Sequence, residues 1–199
     1  MSIPVNPEFK NMQFLLAAPN RAALPPPDCA EVAFAGRSNA GKSSALNAIC
    51  ERRNLARTSK TPGRTQAINF FQHGNSRLAD LPGYGFARVP AGMKAAWQVL
   101  IEHYLTKREC LRGVILVMDA RRPLTDFDRQ LLAWGTTCEL TFHLLLTKAD
   151  KLSRNQQHNT LRMVRKQAAP HTAQMFSAIR TIGLEEARAQ IAAWLGLQA

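Results

Sequence analysis

Apolar residues fall in short, nearly unbroken runs along much of this chain, and the stretches between them are polar with helical spacing. The runs at 114–118 and 142–146 are almost continuously apolar, as central strands buried on both faces should be. They extend into strand candidates at 113–120 and 142–148, joined by others at 31–36, 66–72, 76–83 and 173–178. Helical spacing marks 42–51, 91–107, 126–134, 154–167 and 183–195. Strands alternating with helices predict an α/β fold with a mostly parallel sheet. The stretch 66–80 differs, because its two strand-like halves meet at His73-Gly74-Asn75 and predict an antiparallel hairpin. The expected sheet has six strands, one of them antiparallel, with helices on both faces.

Ahead of this pattern the chain reads less regularly. Positions 25–28 spell PPPD, and 12–23 suits a short helix or a packed extension. Residues 1–28 are therefore read as an N-terminal extension and 29–199 as one domain, a size that supports a sizeable core. No apolar run reaches the roughly 20 residues that cross a bilayer, and the first 20 residues lack a secretory pattern. Cys29, Cys50, Cys110 and Cys138 are far apart, without a C-x-x-C pair, which suits reduced thiols in a cytoplasmic protein. Charge adds a partner class: 26 Lys and Arg stand against 14 Asp and Glu, a formal net charge of +12. A surface this basic favours a polyanion, nucleic acid above all.

The chemistry begins where the first strand ends. Gly36, Arg37, Ser38, Asn39, Ala40, Gly41, Lys42 and Ser43 match G-x-x-x-x-G-K-[ST], between a predicted strand and a predicted helix. Glycines let successive backbone N–H groups turn inward, and the helix presents its positive end to the same space. Lys42 is positioned for β- and γ-phosphates and Ser43 for Mg²⁺. Thr147, Lys148, Ala149 and Asp150 follow the strand at 142–146. An ionised Asp150 accepts from guanine N1–H and its exocyclic amine together, which adenine cannot match. Phe176, Ser177 and Ala178 are placed to offer backbone N–H groups to guanine O6.

Asp80, Leu81, Pro82 and Gly83 end the hairpin's second strand, with Asp80 suited to a Mg²⁺ water and Gly83 to a close backbone approach. Between the phosphate loop and Asp80 runs a basic segment, RTSKTPGRTQ. Gly63, Arg64, Thr65, Gln66 and Ala67 are assigned to the nucleotide from this region, and Thr65 is the natural second hydroxyl for Mg²⁺. Thr58 and Thr61 compete with it, and spacing alone does not choose among them.

These motifs, in this order, resemble Ras-like GTPases. The wording GRSNAGKSS, TSKTPGRTQ, DLPGYGFA, DARRPLTDFD and TKAD resembles the bacterial EngB family of ribosome-biogenesis GTP-binding proteins, from about residue 11 to the C-terminus. That resemblance implies a Ras-like domain that hydrolyses GTP to GDP with Mg²⁺. It also implies a role in large ribosomal subunit assembly and a link to cell division and septation. Where Ras-type enzymes carry a water-orienting glutamine after D-x-x-G, this chain has Tyr84, so slow intrinsic hydrolysis is expected. Asn39 occupies the position at which potassium-activated relatives help bind K⁺, so the resemblance implies Asn39 as a K⁺ ligand beside Lys42 and Thr65 in catalysis, with a ribosomal group acting in trans as the other candidate. Two basic groups, Arg52, Arg53, Arg57, Lys60 and Arg64, then Arg154, Arg162, Arg165 and Lys166, suit ribosomal RNA phosphate. A monomer is expected. The rival readings are a P-loop kinase or ATPase acting on a small molecule, and a nucleotide-gated septation scaffold with incidental hydrolysis.

Overall fold

Period-two alternation along the apolar runs divides each strand between two faces, and the computed structural model shows both faces covered. It describes residues 7–56, 67–83 and 91–197, the side chains of 91–98 excepted. In chain order the elements are α1 (Pro7–Lys10), β1 (Gln13–Ala18), β2 (Ala30–Gly36), α2 (Lys42–Ile49), β3 (Ile68–His73), β4 (Ser76–Asp80), α3 (Ala91–Lys107), β5 (Leu111–Asp119), α4 (Asp126–Thr137), β6 (Phe142–Thr147), α5 (Arg154–Gln167), β7 (Thr172–Met175) and α6 (Leu184–Leu195).

The sheet has seven strands rather than the expected six, in the order β1-β3-β4-β2-β5-β6-β7. β3 is antiparallel to both its neighbours, and every other pairing is parallel. The extra strand comes from the segment ahead of residue 29. β1 closes the edge that β3 would otherwise leave open, with a bulge between Phe14 and Leu16 and an edge-on ring contact between Phe14 and Phe71.

On one face Ala33, Ala35, Val114, Leu116 and Leu144 pack beneath α3, α4 and α5 through Leu100, Tyr104, Leu132 and Val164. Val32, Phe34, Ile115, Val117 and Leu145 face α2 and α6 instead, through Leu46, Ile49, Ala187 and Ile191. Helices therefore lie on both faces, a doubly wound arrangement whose ligand crevice lies beyond the carboxyl ends of the parallel strands. α2 ends at Ile49, short of the expected 51, because Glu51 takes a left-handed backbone (φ 51°). Buried Arg188 of α6 then binds the last carbonyls of α2, Ile49 O (3.0 Å) and Ala48 O (3.1 Å), which fixes the helix that points at the crevice. β7 also stops early, at Met175. Phe176 N makes the last bond to β6, at Leu146 O, and Ser177 N turns away to Ile182 O.

Candidate nucleotide-binding site

Residues 36–43 leave β2 and enter α2 through two left-handed positions, Asn39 (φ 62°) and Gly41 (φ 98°). A side chain on Gly36 would stand 2.5 Å from the Val117 carbonyl oxygen, so the loop lies directly against β5. Asn39 tolerates this backbone because its short amide side chain permits the left-handed region. Ser43, in the first turn of α2, is half-buried beside Lys42. The Lys42 ammonium pairs with the carboxylate of Asp80, and both side chains are nearly buried.

Asp80 is held at this place by its strand. The next amide, Leu81 N, donates to Phe34 of β2 (2.9 Å), and Leu81 and Pro82 are buried. A Cβ on Gly83 would lie 3.0 Å from Ser38 N, so the D-x-x-G turn touches the phosphate loop itself. With a cation already seated on Asp80, the donor set of Ser43 hydroxyl and Asp80 carboxylate fits Mg²⁺, which takes few protein oxygens and completes its shell with phosphate and water. Bound there, Mg²⁺ supplies charge neutralisation to a nucleotide's phosphates.

The third motif joins the first. Thr147, at the end of β6, donates its hydroxyl to Ala40 of the phosphate loop and also contacts the Met118 carbonyl at 2.9 Å. Lys148, itself left-handed (φ 58°), directs its ammonium to the Asn39 carbonyl (2.8 Å) and to Asp119 (2.9 Å). Asp119 is held well below the usual carboxylate range, first by its hydrogen bond from Arg121 and then by Lys148. A cavity of about 560 Å³ opens beside these groups, lined by Arg37, Asn39, Asp119, Arg121 and Lys148 among others.

Asp150 accepts from Ser177 Oγ at 2.6 Å, and this bond lowers its carboxyl pKa, with a lesser contribution from Lys151 at 3.5 Å. The loops carrying the pair also bind each other: Ala149 N donates to Phe176 O (3.1 Å). Of the three amides placed for guanine O6, Phe176 N is taken by Leu146 O (2.8 Å) and Ser177 N by Ile182 O (3.0 Å). Ala178 N remains, without an internal main-chain partner among the described residues. Ser177 thus enters the site through its hydroxyl, which orients Asp150.

Lys42, Ser43, Asp80, Gly83, Lys148, Asp150 and Ser177 therefore gather at one end of the sheet. Ala67 is half-buried just ahead of β3, whose register sets Asn69 opposite Asp80 and so brings the start of the strand to the same end of the sheet. Gly63, Arg64, Thr65, Gln66 and Tyr84, with the competing Thr58 and Thr61, lie outside the described residues. Asp119, Arg121 and Gln157 escaped the reading of the motifs. Asp119 had one available signal, an acid at the carboxyl end of a central strand.

Comparison with known proteins agrees with this geometry. A family described as 50S ribosome-binding GTPase matches residues 31–148. A probable GTP-binding protein EngB of Aromatoleum aromaticum is 52% identical over 196 residues, covering 96% of this chain and 91% of that protein. Its counterpart in Stenotrophomonas maltophilia is also 52% identical over 196 residues, covering 96% and 98%. Among solved structures, a probable GTP-binding protein engB superposes with a TM-score of 0.68 at 22% identity, covering 84% of this chain and 99% of the other. The G domain of the T. maritima FeoB iron transporter gives 0.54 at 24%, covering 83% and 98%. The phosphate loop, the D-x-x-G turn and the T-K-A-D loop thus sit on a GTPase fold, and the chain belongs to the EngB family of GTP-binding proteins.

Proposed function

We propose that this protein is a Mg²⁺-dependent GTPase that hydrolyses GTP to GDP slowly on its own and acts as a switch during large ribosomal subunit assembly. The observation that carries the reading is the hydrogen-bonded union of two motifs. Lys148 and Thr147 hold Asn39 and Ala40, so the loop bearing Asp150 and the loop bearing Lys42 form one unit. Such a unit recognises a guanine base and its phosphates together, and rejects adenine because buried polar groups would be left unpaired. Lys42 and the loop amides hold the β- and γ-phosphates; Ser43, Thr65 and Asp80, the last through water, hold Mg²⁺.

Slow hydrolysis follows from Tyr84, a phenol where a water-orienting glutamine would be needed. The missing transition-state charge comes from K⁺ bound with the help of Asn39 or from a ribosomal group acting in trans, and turnover in KCl and NaCl at matched ionic strength separates the two. Equal rates remove K⁺ from the scheme. Release of the contacts from Thr65 and Gly83 after hydrolysis is the switching event. The partner is the large ribosomal subunit through its RNA, consistent with a net charge of +12 and with the ribosome-binding description of the matching family. The protein acts as a cytoplasmic monomer, and division and septation depend on it through ribosome supply. Among the described residues no helix is long and apolar enough to cross a membrane.

Two measurements test the proposal. GTP, and not ATP, should displace a labelled guanine nucleotide in the presence of Mg²⁺. Purified chain should pellet with large subunits more strongly with a GTP analogue than with GDP; pelleting that ignores the nucleotide ends the switch reading.

A further inference from the structure

We infer that the outward face of α5 is a docking surface for the phosphate backbone of structured RNA, and that its affinity depends on whether the guanine loop is occupied. The second half rests on the GTP-binding reading above.

α5 carries Arg154, Arg162, Arg165 and Lys166 and not one carboxylate. At 100° per residue these four fall within an arc of about 120°, with His158 inside it, along about 18 Å of helix. All five side chains are exposed. Arg154, Arg162 and Lys166 have no ion-pair partner among the described residues. Arg154 sits in the first turn, where the helix dipole disfavours a cation. A row of unpaired like charges, one of them at the wrong end of its helix, costs local stability, so a partner is what it serves.

The flanking exposed positions, Asn155, Gln156 and Asn159, are polar, and the apolar side of the helix faces the core through Leu161, Met163 and Val164. Nothing on this face would enter a lipid layer, and no Phe, Tyr or Trp is present to stack a base. Cations on long stems in a row suit backbone phosphate instead. RNA is the source favoured here, because the family match is to ribosome-binding GTPases.

The other side of α5 reaches the nucleotide site. Gln157 Nε2 donates to Ala149 O (2.9 Å) and Leu152 O (3.0 Å), the main-chain carbonyls on either side of Asp150. Ser153 and Gln156 close a capping box at the same end. The far end is tied to α4 by Arg129–Gln167 (2.8 Å) and to β7 by Arg165–Ala173 (3.0 Å). A base seated on Asp150 steadies the loop, and the loop steadies the helix that presents the charges. GDP and GTP share that base, so this surface distinguishes a filled site from an empty one. Discrimination of GTP from GDP belongs to the loops at the γ-phosphate.

The test titrates full-length protein against a labelled RNA duplex of about 16 bp at several salt concentrations, with no nucleotide, with GDP and with a GTP analogue. Wild type should bind more weakly as salt rises. The Arg154→Glu/Arg162→Glu/Lys166→Glu variant should lose about 2 to 3 from the log–log salt slope, with guanine nucleotide affinity unchanged and the melting temperature not lowered. The same triple with Gln in place of Glu should lose a similar slope, which guards against an effect of reversed charge alone. Either nucleotide should tighten RNA binding by the same factor, about fivefold or more, and Gln157→Ala should abolish that gain while keeping the slope. Unaltered RNA binding in both triple variants overturns the surface, and so does stronger capture by phosphatidylserine vesicles or a DNA duplex. RNA affinity indifferent to nucleotide overturns the coupling. The two proposals separate cleanly: subunit pelleting that survives the triple variants sinks only this one. RNA binding through α5 without subunit pelleting sinks only the ribosome reading.

Discussion

The Lys148 ammonium lies 2.8 Å from the main-chain carbonyl of Asn39, so the side chain of one motif holds the backbone of another 109 positions away. The same ammonium is shared with Asp119, and Lys148 reaches both from a left-handed backbone. Replacing it with alanine removes a charge-assisted bond worth about 1.5–3 kcal/mol exactly where the phosphate loop turns. Lys148→Ala should weaken GDP and GTP alike by about ten- to a hundredfold, read by fluorescent nucleotide titration. The side chain is a third exposed, so water discounts that bond energy for stability, and the melting temperature should fall by only about 2–4 °C. A variant that binds nucleotide normally would show that the tie is incidental.

Asp150 is set for its base by Ser177, and its hydrogen bond keeps the carboxylate ionised. Asp150→Asn exchanges a pair of acceptor oxygens for one acceptor and one donor. Guanine affinity should drop by at least about a thousandfold, and xanthosine nucleotides, whose C2 oxygen accepts from the new amide, should gain. Competition binding with the two nucleotides checks both directions. Unchanged GTP affinity would place the base elsewhere.

How far these features could be read in advance varied with the range of the interactions behind them. β2, β5 and β6 were legible because strands buried on both faces are nearly continuous in apolar residues. The phosphate loop was legible because its chemistry is local in sequence. β1 was not. QFLLAA at a sheet edge leaves Phe14 and Leu15 exposed, so its burial follows neither strand nor helix periodicity. Partnerships across long stretches of chain, such as Lys148 with Asn39 or Gln157 with the guanine loop, leave no periodic trace. The roles of Phe176 and Ser177 were misplaced at the level of single N–H groups, which only the path of the backbone after β7 decides.

His143 predicts a dependence of stability on pH. Gln174 directs its amide nitrogen to Gly183 O (2.6 Å), so its oxygen faces His143 Nε2 (2.8 Å), which must be the protonated nitrogen of a neutral ring. Nδ1 then accepts from Thr172 Oγ1 at 2.7 Å. Burial lowers the folded pKa below the ordinary value of 6.5. A lowered folded value means the unfolded chain binds the proton first, so the stabilisation is complete above about 6.5 and is lost as pH falls below it. Urea midpoints at pH 7.5 and 5.5 should differ in wild type, and the difference should shrink in His143→Gln. An identical pH response in that variant would assign the effect to other groups.

At the opposite end of the sheet from the nucleotide site, Glu31 is wholly buried and accepts from Tyr104 Oη (2.5 Å), Arg108 (3.0 and 3.1 Å) and Arg77 (3.4 Å). The two guanidinium groups also bind the carbonyls of Pro25 and Pro26 at 2.7 Å, so one carboxylate ties α3, β4 and the N-terminal segment to β2. Glu31→Gln leaves buried Arg108 without its counter-charge, while Arg77 keeps Asp28 at 2.8 Å, and should cost about 3–5 kcal/mol. Tyr104→Phe removes one hydrogen bond of several and should cost about 1–2 kcal/mol. Burial, then the Glu31 charge, holds the Tyr104 phenol pKa well above its ordinary value of 10. A raised folded value gives stabilisation that is full below about pH 10 and lost above it, so wild type should weaken in strong alkali more steeply than Tyr104→Phe. Chemical denaturation of the three proteins at pH 7.5 and 10.5 measures both effects. A Glu31→Gln loss no larger than that of Tyr104→Phe would mean that Asp28 and water, not Glu31, balance the two arginines.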